Sequence, residues 1–114
     1  MDKKFSLFSG NSNIELAKEI ANYLSVPLGK VELKKFADGE NYVNYLETVR
    51  GQDIYIIQST CYPHNDNIME LLIMIDAAKR AAAEKITCVI PYYGYGKQDR
   101  KVNDREAITA KLVA

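Results

Sequence analysis

Residues 53–91 read DIYIIQSTCYPHNDNIMELLIMIDAAKRAAAEKITCVIP, and this stretch decides the fold. Residues 53–58 form a continuous β-branched and aromatic run, which is typical of a parallel strand covered on both faces. Residues 67–83 predict a helix that is apolar on almost every side, and residues 86–91 predict a second buried strand. A strand, a crossover helix and a second strand in this order indicate a parallel sheet.

The flanking segments extend this pattern. Residues 4–9 predict a short first strand, and a helical apolar stripe follows it, formed by Leu16, Ala17, Ile20, Ala21 and Leu24. Residues 31–36 and 41–46 each show the alternating pattern of side chains that is typical of a strand. Between them lies Asp38-Gly39, a pair that indicates a hairpin because the turn needs a positive φ. Residues 106–114 predict the beginning of a last helix. The order indicates an α/β domain with a mostly parallel sheet, crossover helices and a β-hairpin at Asp38-Gly39.

Several polar residues are predicted to lie at helix ends. Ser12 with Glu15 three residues later is a capping box for the first helix, although Asn11 and Ser12 could also form an anion site there. Asn65, Asp66 or Asn67 can cap the second helix, and Glu70 is interpreted as a partner of its N-terminal dipole. His64 is the single histidine, and we expect it in a loop, in a surface or capping role.

Composition limits the class of protein. A chain of 114 residues is one domain at most, and 47% apolar with 26% charged residues is ordinary for a globular fold. Because 15 basic residues balance 15 acidic ones, no net field favours nucleic acid or an anionic membrane surface. The longest apolar run is residues 71–75, too short to span a bilayer, and no signal peptide is recognisable. We therefore expect neither a nucleic-acid nor a membrane partner.

The two cysteines indicate the compartment. Cys61 and Cys88 lie outside any C-x-x-C pair, and the single histidine makes a zinc site improbable. We expect free thiols and hence a reducing, cytoplasmic environment.

Two clusters of residues could carry chemistry. The first is the segment after the second buried strand, where Lys97, Arg100, Lys101 and Arg105 place four cations within nine residues. It would lie at the carboxyl edge of the sheet, where α/β proteins bind ligands, and its cations could hold phosphate while nearby tyrosines stack on a base. It lacks the Walker spacing, and a solvated charged loop is the plain alternative.

The second cluster is the predicted hairpin tip, formed by Phe36, Asp38, Gly39 and Glu40. A tight turn alone explains Asp38 and Gly39. Phe36 would either face the core or be exposed for stacking.

These residues closely resemble the ribose-phosphate pyrophosphokinases, and the resemblance runs along the whole chain. The motifs that carry it are residues 8–12 (FSGNS), 36–40 (FADGE), 49–51 (VRG), 57–60 (IQST), 65–77 (NDNIMELLIMIDA), 89–95 (VIPYYGY), 98–101 (QDRK) and 108–114 (ITAKLVA). The resemblance implies a phosphoribosyltransferase-like fold with helices on both sheet faces, and a longer protein with a second domain of the same fold. The predicted helix at 106–114 also has no residue that ends it, so we expect the chain to be the N-terminal part of that protein.

The resemblance also implies a reaction. The family transfers the β,γ-diphosphoryl group of ATP to the 1-hydroxyl of ribose 5-phosphate and releases AMP, with Mg²⁺ as cofactor. The family's metal-binding segment, catalytic loop and ribose-phosphate loop would all fall beyond residue 114. We therefore expect no catalytic residue and no metal ligand within this chain, and no activity of the chain alone.

Site residues can be carried over from the family's motifs. The family's ATP site lies between subunits of a homo-oligomer, for which a hexamer is expected. It would use Phe36, Asp38, Gly39 and Glu40 of one chain with Lys97 and Gln98 of another. An allosteric nucleotide or phosphate site would fall at Thr48 and Arg50.

Three residues depart from the family's pattern. Lys97 replaces an Arg, which keeps the charge and loses the bidentate fork; Gly96 replaces an Ala, and Ala107 replaces a Pro. The alternative to an active enzyme is a non-catalytic regulatory homologue that binds catalytic subunits. The retained Asp38-Gly39-Glu40 favours the enzyme, and Lys97 weakly favours the alternative.

Overall fold

The computed structural model describes residues 5–96 and 113–114. In chain order its elements are β1 (Phe5–Ser9), α1 (Ile14–Tyr23), β2 (Val31–Lys35), β3 (Asn41–Tyr45), β4 (Asp53–Ile57), α2 (His64–Arg80) and β5 (Lys85–Val89). This is the predicted order as far as the last predicted helix, most of which lies outside the described residues.

Strand β4 is the centre of a three-stranded parallel sheet with the order β1-β4-β5. Phe5 pairs with Asp53 in β4, which in turn pairs with Lys85 in β5. The two strands predicted from residues 53–58 and 86–91 therefore lie side by side in one sheet, as expected. Ile54 and Ile56 are fully buried, because a central strand has its two faces covered and both its edges paired.

The two helices cover opposite faces of this sheet. On one face, Phe8, Ile54 and Ile56 pack with Leu71 and Met74 of α2. On the other face, Leu7 and Ile57 pack with Ala17 and Ala21 of α1. Neighbouring strand residues such as Leu7 and Phe8 point to opposite faces, so each strand contributes to both layers. The predicted α/β fold with helices on both faces is confirmed.

The antiparallel pair β2–β3 forms a separate two-stranded sheet, and this hairpin packs against α2. The Tyr45 hydroxyl donates a hydrogen bond to the Met74 carbonyl at 2.8 Å, and the Tyr45 ring meets Phe8 edge-on at 4.8 Å. At the tip, the Gly39 amide donates to the Phe36 carbonyl and Gly39 has a φ of +95°. The predicted Asp38-Gly39 hairpin is confirmed, since glycine supplies the positive φ that closes the turn.

The predicted helix ends needed correction. The N-cap of α1 is Asn13, whose side chain accepts from the Leu16 amide at 3.1 Å, and not Ser12. Helix α2 begins at His64 after Pro63, with no side-chain cap, so the predicted start at residue 67 and its Asn or Asp caps were wrong.

Helix α2 also ends at Arg80, earlier than predicted, because Ala82 adopts a φ of +66°. The amide of Ala83 then donates back to the Ala78 carbonyl, and the amide of Gly51 donates to the Ala82 carbonyl. Residues 81–83 are all alanine, so no glycine marks this helix end in the sequence.

Tyr45 should make the fold sensitive to alkali. Burial, with a smaller contribution from nearby Cys88, raises the pKa of the Tyr45 hydroxyl in the folded protein. The stabilisation from the neutral hydroxyl is complete below its unfolded pKa of about 10 and is lost as the pH rises above it. We expect the free energy of unfolding to fall between pH 8 and pH 11 by roughly 1 kcal/mol more in the wild type than in Tyr45→Phe.

Urea denaturation at the two pH values measures this difference. Tyr23→Phe is the matched control, because Tyr23 is 87% exposed. If the free energy of unfolding falls equally at alkaline pH in the wild type and in Tyr45→Phe, the prediction is wrong.

Candidate functional site

The carboxyl ends of β1, β4 and β5 lie at one edge of the sheet, and three connecting segments meet there. The Gly10 amide donates to the Ile57 carbonyl, the Gln58 amide to the Val89 carbonyl, and the Thr60 amide to the Tyr92 carbonyl, all at 2.8–3.0 Å. Open α/β sheets bind ligands at this edge. We therefore expect a ligand site at this edge.

Glu70 of α2 is buried at this edge, with only 6% of its surface exposed. Its Oε1 accepts from the Asn11 amide at 2.7 Å and from Gln58 Nε2 at 2.9 Å. Its Oε2 accepts from Asn11 Nδ2 at 2.8 Å. The predicted role as a helix-dipole partner was wrong: Glu70 fastens the β1–α1 segment to β4 and α2.

Gln58 continues this buried network. Its Oε1 accepts from the Ser12 hydroxyl at 2.7 Å and from the Ser12 amide at 3.1 Å. The Ser12 hydroxyl in turn accepts from the Ser59 amide at 2.9 Å. Because Glu70 and Gln58 already bind the Asn11 and Ser12 amides, the anion site considered for this segment is filled by the protein's own oxygens.

The hairpin tip presents an aromatic ring and two carboxylates. Phe36 is 48% exposed and packs on Tyr42 with the ring centroids 5.6 Å apart. Asp38 and Glu40 are exposed, and Asp38 Oδ1 accepts from the Glu40 amide at 3.1 Å. Neither carboxylate has a cationic partner within residues 5–96. The tip therefore offers an exposed aromatic face beside acceptor oxygens that are free to bind donors.

The hairpin is joined to the first turn of α2 at the end of β2, next to the tip. Lys35 Nζ lies 3.0 Å from Asp66 Oδ2, and both side chains are about half exposed. A cleft of about 530 Å³ lies between Gly39 and Glu40 on the hairpin and Asn65, Met69 and Ile73 on the helix. The predicted ATP residues Phe36, Asp38, Gly39 and Glu40 thus lie together at the carboxyl edge, beside the N-terminus of α2.

Residues 92–96 approach the same helical turn from the other side. The Gly94 amide donates to Thr60 Oγ1 at 2.5 Å, and a Cβ at Gly94 would lie only 2.1 Å from the Thr60 carbonyl oxygen. The Tyr95 hydroxyl donates to Asn65 Oδ1 at 2.7 Å. Lys97 and Gln98, predicted to face ATP, lie outside the described residues, so their meeting with the hairpin stays a prediction.

His64 contributes to an aromatic cluster that the sequence did not indicate. It is the first residue of α2 rather than a loop residue, and its ring lies 5.9 Å from Tyr95, 6.3 Å from Tyr92 and 6.4 Å from Tyr62. Spacing along the chain could not reveal this cluster, because Tyr92 and Tyr95 approach only after β5 is placed beside β4.

Thr48 and Arg50, predicted to form an allosteric site, lie in the connection between β3 and β4 and are exposed. This connection precedes the amino end of β4, at the opposite edge of the sheet from the hairpin tip. They line a shallow pocket of about 220 Å³ with Glu47, Ala77 and Ala81 among others. The structure therefore separates these two residues from the predicted ATP residues.

The described residues contain no group of three or more His, Cys, Asp or Glu side chains that could hold a metal ion. The Mg²⁺ that the resemblance implies has no ligand set among them. Cys61 and Cys88 are free thiols, as predicted. No helix in the described part of the chain is long and apolar enough to cross a membrane.

Comparisons with known proteins agree with one another. A family model described as the N-terminal domain of ribose phosphate pyrophosphokinase matches residues 5–114. The chain is similar to the ribose-phosphate pyrophosphokinase of Clostridium perfringens, with 62% identity over 98% of this chain and 35% of that protein. It is also similar to the chloroplastic ribose-phosphate pyrophosphokinase 1 of Arabidopsis thaliana, with 59% identity over 97% of this chain and 28% of that protein.

A solved structure extends the similarity to the fold. The crystal structure of phosphoribosylpyrophosphate synthetase from Mycobacterium smegmatis matches with a TM-score of 0.95 and 45% identity, covering 98% of this chain and 38% of that one. The chain spans about a third of the length of the curated relatives it matches.

Proposed function

Because this chain belongs to the family of N-terminal domains of ribose phosphate pyrophosphokinase, we propose that it is part of an enzyme that makes 5-phosphoribosyl 1-diphosphate. The 1-hydroxyl oxygen of ribose 5-phosphate attacks the β-phosphorus of ATP, and a new oxygen–phosphorus bond forms. The bond from the β-phosphorus to the α-phosphate oxygen breaks, AMP leaves, and the hydroxyl proton is lost. The products are AMP and 5-phosphoribosyl 1-diphosphate.

Phosphoryl-type transfer depends chiefly on positioning and on stabilising charge at the phosphates. The part played by this chain is to bind and orient ATP. The residues that act on the ribose hydroxyl and the ligands of Mg²⁺ belong to parts of the enzyme beyond residue 114.

The hairpin tip is the observation that supports this assignment most directly. An adenine ring has a planar face that stacks on an aromatic side chain and an amino group that donates hydrogen bonds. Phe36 supplies a half-exposed ring, and Asp38 and Glu40 supply acceptor oxygens without cationic partners among the described residues. The closed turn at Gly39 fixes the backbone that carries these groups, so less entropy is lost when the base binds.

The phosphates of ATP would be held by the basic segment of a neighbouring copy. Lys97 acts as a point charge on phosphate, and Gln98 offers an amide beside it. A site shared in this way requires a homo-oligomer, for which we propose a hexamer working in the cytoplasm. Thr48 and Arg50 form a separate allosteric site for an anionic nucleotide or phosphate, since Arg50 is an exposed guanidinium away from the hairpin tip.

The direct experiment is an assay of the full-length enzyme with ATP, Mg²⁺ and ribose 5-phosphate. We expect AMP and 5-phosphoribosyl 1-diphosphate to form in equal amounts, as measured by chromatography. AMP without the sugar diphosphate would indicate simple ATP hydrolysis and contradict the proposal. No product, together with stimulation of an added catalytic subunit, would identify the regulatory homologue instead.

A further inference from the structure

Tyr95 has a backbone conformation that tyrosine rarely adopts. Its φ is +68°, in the left-handed region that favours glycine, and a bulky residue there is strained. Strain of this kind persists only where the surrounding structure holds it.

The contacts of Tyr95 show what holds it. Its hydroxyl donates to Asn65 Oδ1 at 2.7 Å, and its ring lies 5.9 Å from His64. Both partners belong to the first turn of α2. The preceding residue, Gly94, is buried and bound to Thr60 Oγ1, so the chain is fastened at two successive residues before it reaches Lys97.

The same helical turn also holds the hairpin. Asp66, the neighbour of Asn65, pairs with Lys35 at 3.0 Å, and Lys35 directly precedes Phe36. The first turn of α2 therefore contacts Lys35, which precedes Phe36, and Tyr95, which lies two residues before Lys97.

We propose that Asn65 and Tyr95 are positioning residues for ATP, and this inference rests on the proposed function. Lys97 follows Tyr95 by two residues, and two residues of chain span at most about 7 Å. When Asn65 holds Tyr95 in place, residue 97 has to lie within that distance of Tyr95. The hydrogen bond therefore limits where Lys97 can meet a phosphate. Without the hydrogen bond Tyr95 has more arrangements available, and binding ATP costs more conformational entropy.

The test measures the Kd for ATP by calorimetry on the full-length enzyme and the KM for each substrate. Tyr95→Phe removes only the hydroxyl, and we expect the Kd and KM for ATP to rise about three- to tenfold, as for one lost hydrogen bond. The KM for ribose 5-phosphate should stay unchanged. Asn65→Ala should act in the same way, and the double variant should be no worse than either single variant, because both remove one interaction.

Two controls separate positioning from general effects. Tyr62→Phe makes the same chemical change at a residue that also touches His64, and no hydrogen bond to its hydroxyl is found among the described residues; it should bind ATP as the wild type does. Asn65→Asp keeps an acceptor oxygen for Tyr95 and should restore the affinity that Asn65→Ala loses.

The outcomes distinguish the inference from the proposed function. An unchanged Kd for ATP in Tyr95→Phe overturns the inference, whether or not the enzyme is active and even if the thermal midpoint falls. A weakened Kd in a protein that forms no AMP supports the inference and contradicts the catalytic proposal. Fully additive losses in the double variant would show that Asn65 and Tyr95 act separately, and would overturn the pairing.

Discussion

Two inactive variants of the full-length enzyme should restore one another's activity when their subunits are mixed. One variant carries Asp38→Ala and Glu40→Ala at the hairpin tip, and the other carries Lys97→Ala and Gln98→Ala. If each ATP site combines the hairpin of one chain with the basic segment of another, random mixing leaves roughly a quarter of the sites with both parts intact. We expect AMP formation to rise from near background to roughly that fraction of the wild-type rate.

The structure makes this experiment informative, because it leaves two arrangements open. Within one chain, Asp66 pairs with Lys35 beside the hairpin tip while Asn65 binds Tyr95. A site formed by the hairpin and basic segment of the same chain is therefore a genuine alternative to the shared site.

If the ATP site is formed within one chain, activity should not recover, since every chain in the mixture would still lack one half of that site. The variants are dissociated, mixed and reassembled, and native mass spectrometry confirms that mixed oligomers have formed. Each variant taken alone through the same steps is the control. Mixed oligomers without activity would rule out the shared ATP site.

Removing the Glu70 carboxylate should be the most destabilising change among the polar residues described above. Glu70→Ala removes the oxygens that Asn11 N, Asn11 Nδ2 and Gln58 Nε2 now reach at 2.7–2.9 Å. Water can replace these oxygens for Asn11, which is exposed, whereas the buried Gln58 Nε2 keeps only the Asn67 carbonyl at 3.2 Å. We expect the free energy of unfolding to fall by about 1–3 kcal/mol in urea denaturation, the range for a buried donor that loses a charged acceptor.

Matched variants isolate the cause. Glu19→Ala makes the same substitution at an exposed position of α1 and should change stability by less than about 0.5 kcal/mol. Glu70→Gln keeps the size and one acceptor oxygen and should fall between the two. If Glu70→Ala is as stable as Glu19→Ala, the Glu70 network does not hold the β1–α1 segment.

Sequence reasoning succeeded where the signal is local. The β-branched run of β4, the alternation of β2 and β3 and the Asp38-Gly39 turn each depend on residues within a few positions of one another. The sequence left open whether Phe36 faces the core or is exposed, and the structure shows that it is about half exposed. The family's motifs then identified a candidate adenine site that residue types alone could not have specified.

The order of the elements, the parallel sheet and the hairpin were thus determined by the sequence itself, because periodicity and turn chemistry are properties of short segments. Only the tertiary structure decided what the polar residues at the carboxyl edge do. Ser12 bonds Gln58 across 46 positions, and Asn11 bonds Glu70 across 59. Asn65 receives the Tyr95 hydroxyl across 30 positions. A polar side chain binds a donor or acceptor that lies close to it in space. At this edge, the pairing of β1, β4 and β5 determines which groups lie close, and the neighbouring residues in the sequence do not.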